Sequence, residues 1–220
     1  GDPSRASRRS NGSDLRRDHS LSLSWATCNR NKRSVTLDLR RDGAYEVFER
    51  LLESADVLIT NLHGGTLRDL HADEESAHRI NPRLIYARVA GLGDRGPRAA
   101  DHSQDMTGMA YAGLLFTYSS QADVPFAPPG SINDVLTGTM VAFGTLAALL
   151  ERQRTGAGQY VSGSLVQTSL WAQLLALGSV ANTTARTEPH DRWHPNSALV
   201  NQYRCGDGRW LAIAGILPKY

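Results

Sequence analysis

The chain has 220 residues, 40% hydrophobic and 21% charged, with a formal net charge of +2. This mix excludes a disordered chain, and the length suffices to bury a sizeable core. A net charge this small demands no nucleic-acid partner. Cys28 and Cys205 lie far apart and lack the paired spacing of a zinc site or redox motif, so they read as reduced thiols. No apolar run approaches the roughly 20 residues of a membrane span, and no secretory leader opens the sequence. The expectation is a cytoplasmic protein without a membrane segment.

The first twenty residues form a polar arm, and arginines cluster there and just beyond it (Arg5, Arg8, Arg9, Arg16, Arg17, Arg30, Arg33, Arg40 and Arg41). They either attract a phosphorylated ligand or form a solvated face. Residues 34–39 alternate apolar and polar side chains, which predicts a half-buried strand. Tyr45, Val47, Phe48, Leu51 and Leu52 give the apolar face of a helix over about 43–54. The apolar run at 56–60 predicts a parallel strand covered on both faces. Short helices near 66–70 and 74–80 lead to a strand at 84–89.

Strand, helix, strand, helix, strand is the order of a doubly wound α/β fold, in which ligands gather beyond the carboxyl ends of strands. Here that place is taken by Asn61-Leu62-His63-Gly64-Gly65. A Gly-rich loop at 91–97 precedes a helical segment at 104–116. A long helix follows at about 132–154, with Leu136, Met140, Phe143, Ala147 and Leu150 as its expected buried face. A strand at 159–161, a helix at 164–180, a polar linker at 183–195 and a hairpin at 203–213 complete the reading.

Asp134 lies in Pro128-Pro129-Gly130-Ser131-Ile132-Asn133-Asp134, where a turn gives way to the long helix. A carboxylate there is either a helix cap or a nucleophile kept anionic by the helix macrodipole. This stretch resembles the catalytic segment of the class III CoA-transferases, the carnitine and formyl-CoA transferase family. Four more strings follow in that family's order: Asn29-Arg30-Asn31-Lys32-Arg33-Ser34-Val35-Thr36-Leu37-Asp38-Leu39; Ala55-Asp56-Val57-Leu58-Ile59-Thr60-Asn61-Leu62; Asn81-Pro82-Arg83-Leu84-Ile85-Tyr86 with Gly91-Leu92-Gly93; and Asp207-Gly208-Arg209-Trp210-Leu211.

The resemblance implies a Rossmann-like doubly wound parallel sheet at 1–182, a linker at 183–198 and the start of a smaller α+β domain at 199–220. It also implies that the chain is a fragment lacking an N-terminal unit. The implied activity moves CoA between an acyl-CoA and a carboxylic acid through an aspartyl anhydride and an aspartyl-CoA thioester on Asp134. No cofactor is tightly bound, since CoA thioester is the substrate, and the assembly is an interlocked homodimer. The alternatives are an acyl-CoA racemase of the 2-methylacyl-CoA type and an inactive CoA-binding fragment.

By the same resemblance, Leu37, Asp38, Leu39 and Arg40 line the adenosine part of CoA, with Arg40 as phosphate partner. Leu37 and Leu39 are equally open to core packing. Asn61, Leu62 and His63 fall on a second contact strand, where Leu62 replaces the usual Phe and Asn61 also suits turn chemistry. His102, Ser103, Gln104 and Asp105 occupy a loop near the pantetheine, although His102 also suits a solvated loop and Asp105 an orienting role within it. The racemases carry a His where this chain has Gln104, which cannot shuttle a proton, so transferase is favoured. Asp69 stands where the formyl-CoA branch has a CoA-contacting Arg, with Arg68 beside it. That branch's Gly-rich shielding loop has no counterpart at 191–195.

Overall fold

The computed structural model describes residues 9–10, 13–14, 16–17, 21–119, 124–184 and 191–215. The chain divides into two compact units, Gly1–Phe48 and Glu49–Tyr220.

In the first unit, β1 (Arg9–Ser10) pairs antiparallel with β2 (Ser13–Asp14), and β3 (Arg16–Arg17) with β4 (Leu21–Ser22). The side chains of Arg5 and Arg8 lie outside the described residues. Helix α1 (Leu23–Cys28) was not expected from the sequence; its six residues are too few to show a period, and only the cap signals it, Ser22 Oγ accepting from the Trp25 amide. The strand expected at 34–39 does not form: residues 32–38 carry no regular structure and have no ladder partner among the described residues, and Leu39 enters a turn. Alternating side chains make a strand only when a neighbour takes the backbone hydrogen bonds. Helix α2 (Ala44–Ser54) forms as expected and spans the division between the units.

The second unit is built on a parallel sheet of β5 (Val57–Thr60), β6 (Ile85–Ala90) and β7 (Gln159–Ser164), in the order β5-β6-β7. Central β6 is dry where it begins, with Ile85, Tyr86 and Ala87 all at most 1% exposed. Edge strand β5 is not covered on both faces as expected, since Ile59 is 62% exposed. Between β5 and β6 run α3 (Gly64–Asp69) and α4 (Glu74–Ile80). Asp73 caps α4, accepting from the Ser76 amide at 3.2 Å and the Ser76 hydroxyl at 2.9 Å. Partial burial pushes its carboxyl up, but those two donors outweigh it and hold it below the ordinary value. A group lowered in the folded state contributes stability at neutral pH that disappears as pH falls through the acid range. Asp73→Ala should therefore cost about 1 kcal/mol at neutral pH, read by denaturant titration, and progressively less in acid.

Beyond β6 come α5 (Asp105–Tyr111), α6 (Leu114–Thr117) and α7 (Ile132–Thr155). The single helix expected at 104–116 is two, broken at Gly113 with φ 75°, a left-handed conformation that glycine adopts without penalty. Likewise the helix expected at 164–180 divides at Gln173 into α8 (Leu165–Ala172) and α9 (Leu174–Asn182). The hairpin is β8 (Val200–Arg204) with β9 (Trp210–Ala214). Part of the expected linker, residues 185–190, lies outside the described residues.

Helix α7 corrects two expectations. Its buried face is Asn133, Thr137, Val141, Thr145 and Ala148, whereas Leu136, Met140, Phe143, Ala147 and Leu150 point outward. The reason is the closeness of the sheet. A Cβ added to Gly144 would meet Val161 at 3.0 Å, and one added to Gly163 would collide with Val141, so only small side chains fit between α7 and β7. By length and composition alone, α7 is also long and apolar enough to cross a bilayer, with a mean hydropathy of 1.4 over 18 residues. The expectation that no run approaches such a span is overturned. Its packing against β6 and β7 is that of a helix laid on a sheet.

Val161 and Gly163 face α7, and Tyr160 points to the opposite face because neighbouring strand residues alternate. There Tyr86 stacks on Tyr160 with centroids 5.9 Å apart. These rings, with Leu67, Arg68 and Arg88, border a hollow of about 230 Å³. Burial pushes the Tyr86 phenol up to about 12, and its hydroxyl donates to Ala72 O at 2.7 Å. Helices thus lie on both faces of the sheet, as the doubly wound reading requires, although α7 covers β6 and β7 and leaves β5 open.

Candidate active site

The candidate residues of the second unit collect at the carboxyl edge of the sheet. His63 follows β5 and serves as the N-cap position of α3 without a side-chain cap bond. Its ring lies against that of His102, from the loop after β6, with centroids 4.9 Å apart and planes at 33°. His63 Nε2 is buried without a partner among the described residues. Leu62 is exposed, its amide turned to Thr60 Oγ1 at 3.1 Å, and Asn61 is exposed beside it. Ser103 packs so closely on Gly91 that no side chain fits there. Gln104, the N-cap position of α5, makes no side-chain cap bond.

Helix α7 runs back toward the start of β7, so its first turn returns to the same edge, next to Leu165 at the end of that strand. Its cap residue Ser131 is left-handed, φ 52°, and provides no side-chain bond. Free amides of a first turn need acceptors from elsewhere, and Asp105 of α5 supplies one: the Asp134 amide donates to Asp105 Oδ1 at 2.9 Å. Asp134 is thus the third residue of the helix and not its cap. The Asp105 carboxylate thus caps α7, a helix other than its own.

This arrangement sets two carboxylates side by side. Desolvation first, and the charge of Asp105 second, push the Asp134 carboxyl above its ordinary value. The helix macrodipole favours the charged form, whereas lost hydration and the like charge of Asp105 act against it. Asp134 nevertheless keeps an exposed surface in the single chain. The exposure keeps the rim open, and desolvation and the neighbouring acid push the carboxyl in the same direction.

Sequence reasoning passed over Asn133, which is 1% exposed. Its Nδ2 donates to Asp105 O at 3.3 Å and Leu165 O at 3.2 Å, tying the first turns of α5, α7 and α8 together. Its only sequence signal was its place before Asp134. The Tyr160–Asp94 bond, 2.7 Å, was also unread.

In the first unit, Leu37, Asp38 and Leu39 are half-buried and Arg40 is exposed. Arg40 Nε donates to Asp38 Oδ1 at 2.8 Å, a pairing whose hydrogen bond lowers the Asp38 carboxyl. These four residues belong to the first unit, whereas Asp134 belongs to the second.

Residues 1–220 match the family model described as CoA-transferase family III. The chain belongs to this family. Among relatives of CoA-transferase family III, it is 30% identical to the human alpha-methylacyl-CoA racemase over 193 residues, covering 87% of this chain and 50% of that protein. It is 33% identical to the succinyl-CoA–D-citramalate CoA-transferase of Chloroflexus aurantiacus, covering 87% and 48%. A solved structure of a CAIB/BAIF family protein from Brucella suis superposes with a TM-score of 0.80 at 29% identity, covering 88% of this chain and 51% of that one. The chain spans about half the length of these relatives. The α/β fold with its parallel sheet is therefore that of the class III CoA-transferases.

Proposed function

We propose that the protein containing this chain moves CoA from an acyl-CoA donor to a free carboxylic acid, with Asp134 as the covalent nucleophile. The observation that carries this reading is the Asp134–Asp105 couple at the carboxyl edge of the sheet, within a chain of this family. The ionised Asp134 attacks the thioester carbonyl, giving a mixed anhydride and CoA thiolate. The thiolate attacks the aspartyl carbonyl and expels the donor carboxylate, leaving an aspartyl-CoA thioester. The acceptor carboxylate then forms a second anhydride, and returning thiolate yields the new acyl-CoA and free Asp134. One thioester replaces another, so no other energy source is needed. The barrier is kinetic, and a positioned nucleophile divides it into smaller steps.

His63, His102, Ser103 and Gln104, with Asn61 and Leu62, are proposed as contacts of the CoA arm, and the family resemblance alone assigns Leu37, Asp38, Leu39 and Arg40 to CoA binding. Incubating the full-length protein with an acyl-CoA and hydroxylamine should trap an acyl hydroxamate dependent on Asp134. Absence of that product defeats the reading. The racemase relative supports a second reading, tested by solvent-deuterium exchange at the substrate α-carbon. Gln104, which carries no titratable proton, supports a transferase outcome without exchange.

The proposed assembly is an interlocked homodimer. Phe143 is 71% exposed and Leu175 90%, beside an apolar groove of about 460 Å³ bordered by Met140, Gly144, Leu170, Trp171 and Leu177. Exposed apolar surface of this kind marks an interaction face. Phe143→Asp in the full-length protein should raise the dimer dissociation constant by about 100-fold or more, because an unpaired charge is costly to bury. Light scattering across a dilution series reads that change, and an unaltered dimer removes this face from the interface.

A further inference from the structure

We propose that Asn133 is a positioning residue, which holds Asp134 and Asp105 in register by bridging the starts of α5 and α8. The inference rests on the reading of Asp134 as nucleophile.

A buried asparagine is a costly choice for packing alone. Both amide hydrogens of Asn133 are used, on Asp105 O and Leu165 O, while its Oδ1 stays buried without a partner among the described residues. An unmet acceptor costs stability that an apolar side chain would not lose. Asp105 O and Leu165 O also open helices, where the ladder already offers them an amide four residues on. The bridge is therefore an addition to groups that need no rescue.

What the bridge fixes is lateral position. Asp105 is held twice by consecutive residues of α7: its carbonyl by the Asn133 side chain and its carboxylate by the Asp134 amide at 2.9 Å. Rotation of α5 about either contact is blocked by the other. The local packing is cut to this purpose, since a Cβ at Gly108 would meet Asn133 Nδ2 at 3.1 Å and Leu165 Cβ at 2.5 Å. The third point, Leu165 O, anchors the pair to the end of β7. A reacting carboxylate displaced by about 1 Å loses on the order of 100-fold in rate, so a residue that touches no substrate still governs turnover.

The test uses the full-length protein, with hydroxamate trapping from an acyl-CoA under hydroxylamine as the readout. Asn133→Ala should slow trapping about 10- to 100-fold with the KM for acyl-CoA unchanged. The acid limb of its pH profile should move down as Asp105 drifts from Asp134. The melting temperature should shift by no more than about 4 °C, because removing an unmet acceptor offsets the lost donors. Asn133→Ser, which keeps one donor, should recover part of the rate. If Asn133→Ala unfolds, the serine variant decides alone: a slowed rate with an intermediate acid limb supports the role. Trapping at the wild-type rate and pH profile in a folded variant overturns it. No hydroxamate from wild-type protein, or hydroxamate persisting in Asp134→Asn, defeats the underlying reading instead.

Discussion

Asp134→Asn in the full-length protein should reduce CoA transfer by on the order of 10⁴-fold or more while acyl-CoA binding stays within a few-fold. Asparagine keeps the shape of the side chain and leaves the backbone amide free to donate to Asp105, so the capping of α7 survives. What disappears is the carboxylate that forms the anhydride. A retained fold with no trapped acyl group is the expected result, read by stopped incubation with hydroxylamine and by isothermal binding of the acyl-CoA. Transfer at more than about a hundredth of the wild-type rate would exclude covalent catalysis at this position. The wild-type pH profile gives a second reading of the same site. Attack requires ionised Asp134, and its carboxyl is raised by desolvation and by Asp105. Turnover should therefore begin to fall on the acid side at a higher pH than an ordinary aspartate would impose.

The second large effect is expected at Gly158, where α7 gives way to β7. Its amide donates to Pro82 O at 2.8 Å. An added Cβ would lie inside van der Waals contact of Leu84 O and 2.8 Å from Arg83 C and Leu84 N. These obstacles are backbone atoms of the turn entering β6, and no rotamer change relieves them. Gly158→Ala should cost about 2–4 kcal/mol, lowering the denaturant midpoint without changing the slope. Gly208→Ala, where nothing lies within 4 Å, is a useful contrast, for its φ of +84° makes its cost one of backbone strain alone. A Gly158→Ala midpoint equal to wild type would show that the close approach of β6 and β7 is slack.

Two strands of the sheet were legible as short apolar runs ended by turn residues, at 57–60 and 85–90, whereas β7, Gln159-Tyr160-Val161-Ser162-Gly163-Ser164, was read only to 161 because its second half is small and polar; the bounds of α7 were legible because glycines stop it. Its face was not. Thr137 and Thr145 are small enough to lie against β7 while Phe143 and Leu150 are not, and hydrophobicity ranks these residues the other way round. The strand at 34–39 failed for a related reason: pattern reports what a segment is able to pair with, not whether a partner is present. At the site, Asp134 stood out through its motif, yet its electrostatic setting could not be read. That depends on Asp105, 29 residues earlier, arriving beside it. Asn133 escaped notice because a buried amide and a solvated one are the same letter.

Under the proposed dimer, the outward apolar rank on α7 also governs how this polypeptide responds to concentration. A folded chain with such a face gains stability from whatever occupies it, by mass action and in proportion to the logarithm of occupancy. Its melting point becomes a property of the solution as much as of the sequence, and heat capacities measured at two dilutions describe two different thermodynamic states.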